Sequence, residues 1–127
     1  MHRIPQLHPN WPTPDPVMSI ERPWSWPSPY YDFLCALDRA DALDRLGAIR
    51  SVERYSIEHN GGGTELNMVL LGRMAEDEWF VLAGWNDYTG WGCQDGGSFT
   101  VHSTRQDAID NGLTNEERTL LGFPRVN

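Results

Sequence analysis

The prolines of this 127-residue chain are concentrated near its N-terminus. Eight of the nine lie before residue 30, in the stretch MHRIPQLHPNWPTPDPVMSIERPWSWPSP. Proline removes a backbone donor and biases the preceding residue toward extended conformations, so this stretch cannot form a regular helix. The sequence therefore predicts an extended arm rich in Pro and Trp over residues 1–27 and a single domain over residues 28–127.

The arm also carries three tryptophans, Trp11, Trp24 and Trp26. Disordered tails are poor in aromatic residues, so we expect the arm to lie against the body of the protein or to wrap around a neighbouring subunit. In the second arrangement the arm would be exchanged between subunits of a self-associating structural component, a homo-oligomer.

A helix is predicted directly after the arm. Ser28 is a favourable N-cap and Pro29 a favourable first helical residue, while Gly47 is typical of a helix end. Apolar residues recur between them at near-helical spacing: Phe33, Leu37, Ala40, Leu43 and Leu46. Arg39 and its charged neighbours are expected to face water, and Cys35 to be a buried, inert thiol.

Four strands are predicted over residues 51–59, 64–74, 78–85 and 98–103. Val52 is out of phase with Tyr55 and Ile57, which indicates a β-bulge. The runs MVLL and WFVLA are typical of central strands covered on both faces. Two short C-terminal helices follow, capped by Thr104 and by a T-x-x-E capping box at Thr114. The predicted fold is α+β: an antiparallel sheet of about four strands, one N-terminal helix and two short C-terminal helices.

The stretch WNDYTGWGCQDGG, residues 85–97, is the strongest candidate for a binding site. It predicts a loop of about a dozen residues between two strands, and long ordered loops often carry function. Exposed aromatic rings are favourable anchors at interfaces, and acidic residues would accept a basic partner. The predicted binding residues are Trp85, Asp87, Tyr88, Trp91 and Asp95, with Trp24 and Trp26 of the arm. In a purely structural alternative the rings fold onto the sheet and fix the glycines.

Charge limits the class of partner. The chain has 18 acidic residues against 10 basic ones, and its net charge is −8. An acidic surface repels phosphate backbones, so direct nucleic-acid binding is not expected, whereas a basic protein partner would be attracted. No apolar stretch reaches transmembrane length and no secretory signal is recognisable, so we expect no membrane association, a cytoplasmic location and reduced thiols.

An enzymatic alternative stays open. Cys93 beside His59 or His102, with an acid orienting the imidazole, would make a small cysteine-dependent hydrolase or transferase. No cysteine or histidine pair has zinc-like spacing, and the glycines of HNGGGT are followed by neither lysine nor helix, so neither a metal nor another cofactor is predicted.

The segment DYTGWGCQDGGSF and the later GLTNEERTLLG resemble sequences of small proteins from actinobacteria and their phages, uncharacterised in activity. These proteins share a D-Y-T-G-W-x-C motif and a G-L-T-x-E-E-R C-terminal ending. The Arg-only composition, without lysine, agrees with that origin. The resemblance covers about the last third of the chain. It implies an intracellular accessory role in phage–host interplay and assigns no site residue. The leading hypothesis is a protein-interaction module, an inhibitor or accessory factor, rather than an enzyme.

Overall fold

The computed structural model describes residues 29–60, 65–87 and 94–125. Helix α1 (Pro29–Arg39) and a 3₁₀ helix (Leu43–Ala48) come first, followed by strands β1 (Ile49–Asn60), β2 (Glu65–Met74), β3 (Trp79–Asp87) and β4 (Gln94–His102). A 3₁₀ turn (Ala75–Asp77) joins β2 to β3. The short helix α2 (Arg105–Asp107) continues as a π-helix (Ala108–Gly112) and precedes α3 (Asn115–Leu121).

The four strands form one antiparallel sheet in the order β1-β2-β3-β4. Helix α1 contacts β3 and β4 on one face, and α3 and the π-helix contact the strands on the other. The predicted α+β architecture is therefore confirmed, including the N-terminal helix and the short C-terminal helices.

Each face of the sheet has its own hydrophobic core, because successive residues of a strand point to opposite faces. On β2, Leu70 packs with α1, while Leu71 packs with the C-terminal helices. On β3, Leu82 and Val81 divide in the same way. The consecutive apolar residues of the two central strands, which predicted coverage of both faces, are explained by this arrangement.

Irregularities in β1 keep its apolar residues on the α1 side. The pairing of β1 with β2 shifts register between Ile49 and Ser51 and again between Val52 and Arg54. With these shifts Ile49, Val52 and Tyr55 join the same core although their spacing does not follow simple alternation. The bulge predicted at Val52 is confirmed.

The first helix ends earlier than Gly47, so the predicted single helix is wrong at its C-terminal end. Asp41 has a left-handed φ of 56°. The amide of Ala42 donates to the Leu37 carbonyl at 2.8 Å, and that of Asp41 donates to Asp38 at 3.0 Å. These two bonds form a Schellman motif, in which Ala42 and Leu37 are both buried. The left-handed residue that ends α1 is therefore an aspartate, Asp41, and not the predicted Gly47.

The loop before β4 is also shorter than predicted. Strand β3 extends to Asp87 and β4 begins at Gln94, which leaves residues 88–93 between them. Gly84 pairs with Gly97 across these strands. A Cβ atom at Gly84 would lie 2.8 Å from the Ala36 Cβ, so this glycine allows α1 to approach the sheet closely.

The caps predicted for the C-terminal helices are confirmed. The Thr104 hydroxyl accepts from the Asp107 amide, and Thr114 forms a capping box with Glu117. Gly122 ends α3 with a φ of 82°. The buried Arg118 joins the two helical segments, because its guanidinium donates to the carbonyls of Ile109 and Asp110 at 2.9 and 2.6 Å.

Two arginine side chains connect β1 to the C-terminal region, one from each side of the contact: Arg105 of α2 and Arg54 of β1. Arg105 forms two hydrogen bonds with the Glu53 carboxylate, at 2.7 and 2.6 Å, and these bonds raise the pKa of the Arg105 guanidinium. Arg54 donates to the Leu121 carbonyl at 2.8 Å and lies 4.2 Å from the ring centroid of Phe123. The carbonyl at the end of α3 is thereby satisfied by a strand residue. None of the helices in the described ranges has the length and apolarity required to span a bilayer.

Candidate functional site

The structure places two of the predicted binding residues, Trp85 and Asp95, at the same end of the sheet but on opposite faces. Trp85 pairs with Gly96, whereas Asp95 pairs with Asn86. Because side chains alternate along a strand, Asp95 lies on the α1 face and Trp85 on the face of the C-terminal helices. The two residues therefore do not form one continuous recognition patch.

Asp95 faces a cation of its own chain. Its carboxylate lies 3.9 Å from Nε of Arg39, whose side chain is only 4% exposed. The expectation that Arg39 faces water is therefore wrong, because β4 extends under the last turn of α1 and brings a carboxylate to it. Asp95 acts within the domain by linking this turn to the sheet.

Trp85 is exposed to solvent, and its ring packs on the adjacent strand β4. Its side chain is 41% exposed, and its indole packs against the backbone of Gly96. A Cβ atom at that glycine would lie 2.8 Å from Cζ2 of the ring. The absence of a side chain at Gly96 thus allows the ring to lie on β4.

Trp85 belongs to a row of residues that crosses the sheet. Glu58 of β1 pairs with Asn67 of β2, and Asn67 pairs with Trp85 of β3. In the adjacent row Ser56, Val69 and Ala83 are paired in the same way. Helix α3 contacts β1 and β2 on this face, next to these two rows.

A cleft of about 340 Å³ lies between these rows and α3. We call it the α3 cleft. Its lining residues come from three strands and one helix: Glu58, Asn67, Met68, Val69, Ala83, Gly84, Trp85, Thr114, Glu116, Glu117 and Leu120. Leu120 is 40% exposed. In the described part of the chain, Leu120 and Trp85 are the two large apolar residues that are exposed. Both contribute to the same cleft.

The lining of the α3 cleft combines apolar surface with negative charge. Glu58, Glu116 and Glu117 contribute three carboxylates, and its described lining includes no arginine. Glu117 also accepts the Thr114 amide at 2.9 Å in the capping box, which fixes its position. The cleft is therefore suited to a ligand with both an apolar part and a positive charge.

Sequence reasoning identified Trp85 and missed the rest of this cleft. The capping box located Thr114 and Glu117 at a helix start, but nothing local indicated that this helix lies beside Trp85. Alternation along β1 places Glu58 and Ile57 on opposite faces of the sheet. Which residue of β2 lies beside Glu58 depends on the strand register, which the local sequence does not specify. The exposure of Leu120 depends on how α3 packs on the sheet, which no local pattern indicates.

Several predicted residues fall outside the described residues: the arm over 1–27 with Trp24 and Trp26, and Tyr88, Trp91 and Cys93. The same holds for the side chains of His59 and Asp87, whose backbones lie in β1 and β3. The roles proposed for these residues remain predictions.

The two histidines named for catalysis lie at opposite ends of the sheet. His59, Leu66, Asn86 and Asp95 follow one another across the four strands. The backbones of His59 and Asp95 are therefore separated by three strand spacings, about 14 Å. His102 is eight residues along β4 from Gln94, a span of about 26 Å at strand rise. Of the two histidines, His59 is at the end where residues 88–93 connect the strands.

His102 takes part in a chain of hydrogen bonds with an acid and a hydroxyl. Its Nδ1 lies 2.9 Å from an oxygen of Asp107, and its Nε2 lies 2.9 Å from Oγ1 of Thr100. A hydrogen bond from Asn111 has the largest effect in lowering the pKa of the Asp107 carboxyl, and the hydrogen bond with His102 lowers it further. An ionised carboxylate only accepts, so Nδ1 carries the proton, and in the neutral ring Nε2 accepts from Thr100.

The surroundings of His102 give this chain of hydrogen bonds a structural role. The ring is 11% exposed and lies beneath Gly112, where a Cβ atom would be 2.7 Å from Nε2. The His102 imidazole thus connects β4 to both ends of the helical segment that runs from α2 through the π-helix. It contacts Asp107 near the start of this segment and Gly112 at its end. An acid does orient the imidazole, as the enzymatic alternative requires, but the second nitrogen is occupied by Thr100.

In the described ranges, no three His, Cys, Asp or Glu side chains are grouped so that they could hold a metal ion. Cys35 is buried within α1, as predicted. Comparison with known proteins finds no matching protein-family model, no matching curated protein and no matching solved structure. The functional argument therefore depends on the geometry of the α3 cleft and on the residues themselves.

Proposed function

We propose that the chain is a small acidic protein-interaction module that binds a partner protein through the sheet face carrying Trp85. The observation that carries this proposal is the position of Trp85 and Leu120. Both are about 40% exposed, and both line the same cleft. Single exposed apolar residues are common on protein surfaces, whereas paired ones at a cleft are typical of binding sites.

Two further features support a protein partner. Trp85 is seated on Gly96, so little side-chain entropy remains to be lost on binding. The predicted aromatic residues Tyr88 and Trp91 follow Trp85 closely in sequence. We infer that they extend the same recognition surface. The resemblance to actinobacterial and phage proteins extends the proposal to an accessory factor or inhibitor that a phage directs at a protein in the host cytoplasm.

Site-specific crosslinking tests this proposal. A photoreactive phenylalanine analogue is placed at position 85, at position 120 and, as a control, at exposed position 50, eight residues along β1 from Glu58. The proposal predicts that positions 85 and 120 crosslink to the same protein in an actinobacterial lysate and that position 50 does not.

The captured protein is then purified and its affinity measured with two variants, Trp85→Ala and Leu120→Ala. Each is expected to weaken binding by more than about fivefold, since truncating a central anchor costs over 1 kcal/mol. Circular dichroism checks that both variants are folded. Equal crosslinking at all three positions, or unchanged affinity in both folded variants, would show that this face is not the binding surface.

A further inference from the structure

The charged side chains that line the α3 cleft are all of one sign. Three carboxylates line it and no arginine does, within the described residues. Two arginines of β1 and α3, the elements that carry Glu58 and Glu116, are engaged elsewhere: Arg54 with the Leu121 carbonyl and Phe123, and Arg118 with the carbonyls of Ile109 and Asp110. Within the described residues, the negative charge of the cleft lining is therefore available to a cationic ligand.

The apolar surface of the cleft determines what kind of cation fits. The three carboxylates share the lining of the cleft with apolar side chains, those of Val69, Ala83, Trp85 and Leu120. A small hydrated cation would gain nothing from this apolar surface. A long side chain with an aliphatic stem and a charged head would bury its stem and place its head at the carboxylates.

The indole of Trp85 favours arginine over lysine. A guanidinium is planar, is less strongly hydrated than an ammonium, and stacks on aromatic faces while donating to carboxylates. The protein already uses this contact, since Arg54 lies over Phe123 and Arg73 lies 5.6 Å from the ring centroid of Trp79. Trp85 and Glu58 stand in one cross-strand row, separated only by Asn67.

The size of the cleft limits how much of a partner enters it. A volume of about 340 Å³ is near the lower end of the range for ligand pockets, about 300–1,000 Å³. It accommodates one long side chain and part of a neighbour. We propose that the α3 cleft binds an arginine side chain, flanked by apolar residues, from a segment of the partner protein. This inference rests on the proposed function and specifies the part of the partner that is recognised.

A pair of peptides tests the inference with the full chain. One is blocked Gly-Leu-Arg-Leu-Gly, and the other carries citrulline in place of arginine, which keeps the shape and removes the charge. Binding is followed by ¹⁵N-NMR through the indole N–H of Trp85 and the amides of Ala83 and Glu116. We expect the arginine peptide to shift these signals and to bind about fivefold more tightly than the citrulline peptide, which is near the upper end for a partly exposed charge pair.

A matched pair of double variants locates the charge effect. Glu58→Gln with Glu116→Gln removes two carboxylates of the cleft. Asp44→Asn with Glu76→Gln removes two exposed carboxylates elsewhere. The first should weaken binding of the arginine peptide by about fivefold or more, and the second should change it less than about twofold, because distant exposed charges are largely screened.

The inference is overturned if neither peptide binds, if the citrulline peptide binds as tightly as the arginine peptide, or if the two double variants behave alike. Binding of free arginine as tightly as the peptide would also overturn it, since a small molecule would then be the ligand. If crosslinking at position 85 still identifies a partner in any of these cases, the proposed function stands without the arginine preference. If the peptides behave as expected but crosslinking finds no partner, the proposed function fails instead.

Discussion

Single residues decide how closely the layers of this protein approach one another. Gly84 allows contact between the sheet and α1 at Ala36, and Gly96 allows the Trp85 ring to lie on β4. Gly96 was predicted to lie in the loop before the last strand, whereas Gly84 lay within the predicted strand 78–85. Their function is close packing, because a side chain at either position would occupy space already filled.

Gly84→Ala tests this interpretation. The added methyl group would meet the Ala36 Cβ at 2.8 Å, so α1 or β3 must shift. We expect a loss of about 1–3 kcal/mol in the free energy of unfolding, the usual cost of overpacking. Gly47→Ala is the matched control, since nothing lies within 4 Å of its added Cβ, and it should be neutral or stabilising by about 0.4–1 kcal/mol. Urea denaturation measures both, and equal effects would contradict the packing argument.

Asp107 makes stability depend on pH. Hydrogen bonds from Asn111 and His102 lower its pKa in the folded protein, so near the ordinary value of about 3.9 the unfolded chain binds the proton more tightly. The stabilisation is complete above that value and is lost as the pH falls through the folded-state pKa. Asp107→Asn should therefore be less stable than the wild type near neutral pH, with a difference that shrinks as the pH falls below that ordinary value.

Urea denaturation at a series of pH values measures this difference. Asp44→Asn, which removes one exposed carboxylate of the first 3₁₀ helix, serves as the control for net charge. A destabilisation by Asp107→Asn that stays constant down to the lowest pH would show that the loss comes from something other than the ionised carboxylate.

At the scale of elements, local signals located the C-terminal helices better than the end of α1. Thr104 and Thr114 cap the helices they were expected to cap, because a cap needs only its own next three residues. The end of α1 was misplaced because Asp41 adopts a left-handed conformation that its sequence does not require. The burial of Ala42 and Leu37 in one core stabilises that turn.

Arg118 tests how the C-terminal elements are joined. Its guanidinium reaches the Ile109 and Asp110 carbonyls and the Asn115 side chain, a set of contacts that one ammonium cannot reproduce. Arg118→Lys should cost about 1–3 kcal/mol, the penalty for leaving buried acceptors unsatisfied. Arg50→Lys, at an exposed arginine bonded to the Gly47 carbonyl, should change stability by less than about 0.5 kcal/mol. Thermal unfolding compares the two, and similar shifts in Tm would contradict the bridging role.

At the scale of the whole molecule, the sheet connects two cores that share its central strands. Strands β2 and β3 contribute alternate residues to both, so loss of either core removes support from the same strands. The α3 cleft is a consequence of this arrangement. Within the described residues, the C-terminal helices cover one part of this sheet face, and Trp85 stands exposed on another part, where the cleft lies beside α3.

We expect the two cores to unfold in one transition. Leu37→Ala removes a buried side chain from the α1 core, and Leu113→Ala removes one from the C-terminal core. Each should lower the free energy of unfolding by about 2–5 kcal/mol while leaving a single transition. Tryptophan fluorescence and far-ultraviolet circular dichroism should give coincident curves in both variants. Separated transitions in either one would show that the cores are independent.

The sequence by itself determined the parts of this protein that depend on neighbouring residues. Alternation and apolar runs predicted four strands, and side-chain caps predicted the C-terminal helices. The same sequence identified Trp85 as a candidate binding residue. The tertiary structure alone decided that Glu58, Asn67 and Trp85 share a row, that α3 lies beside them, and that Asp95 faces α1 instead. The physical reason is that strand register and helix docking are set by contacts between distant residues, which no local pattern specifies.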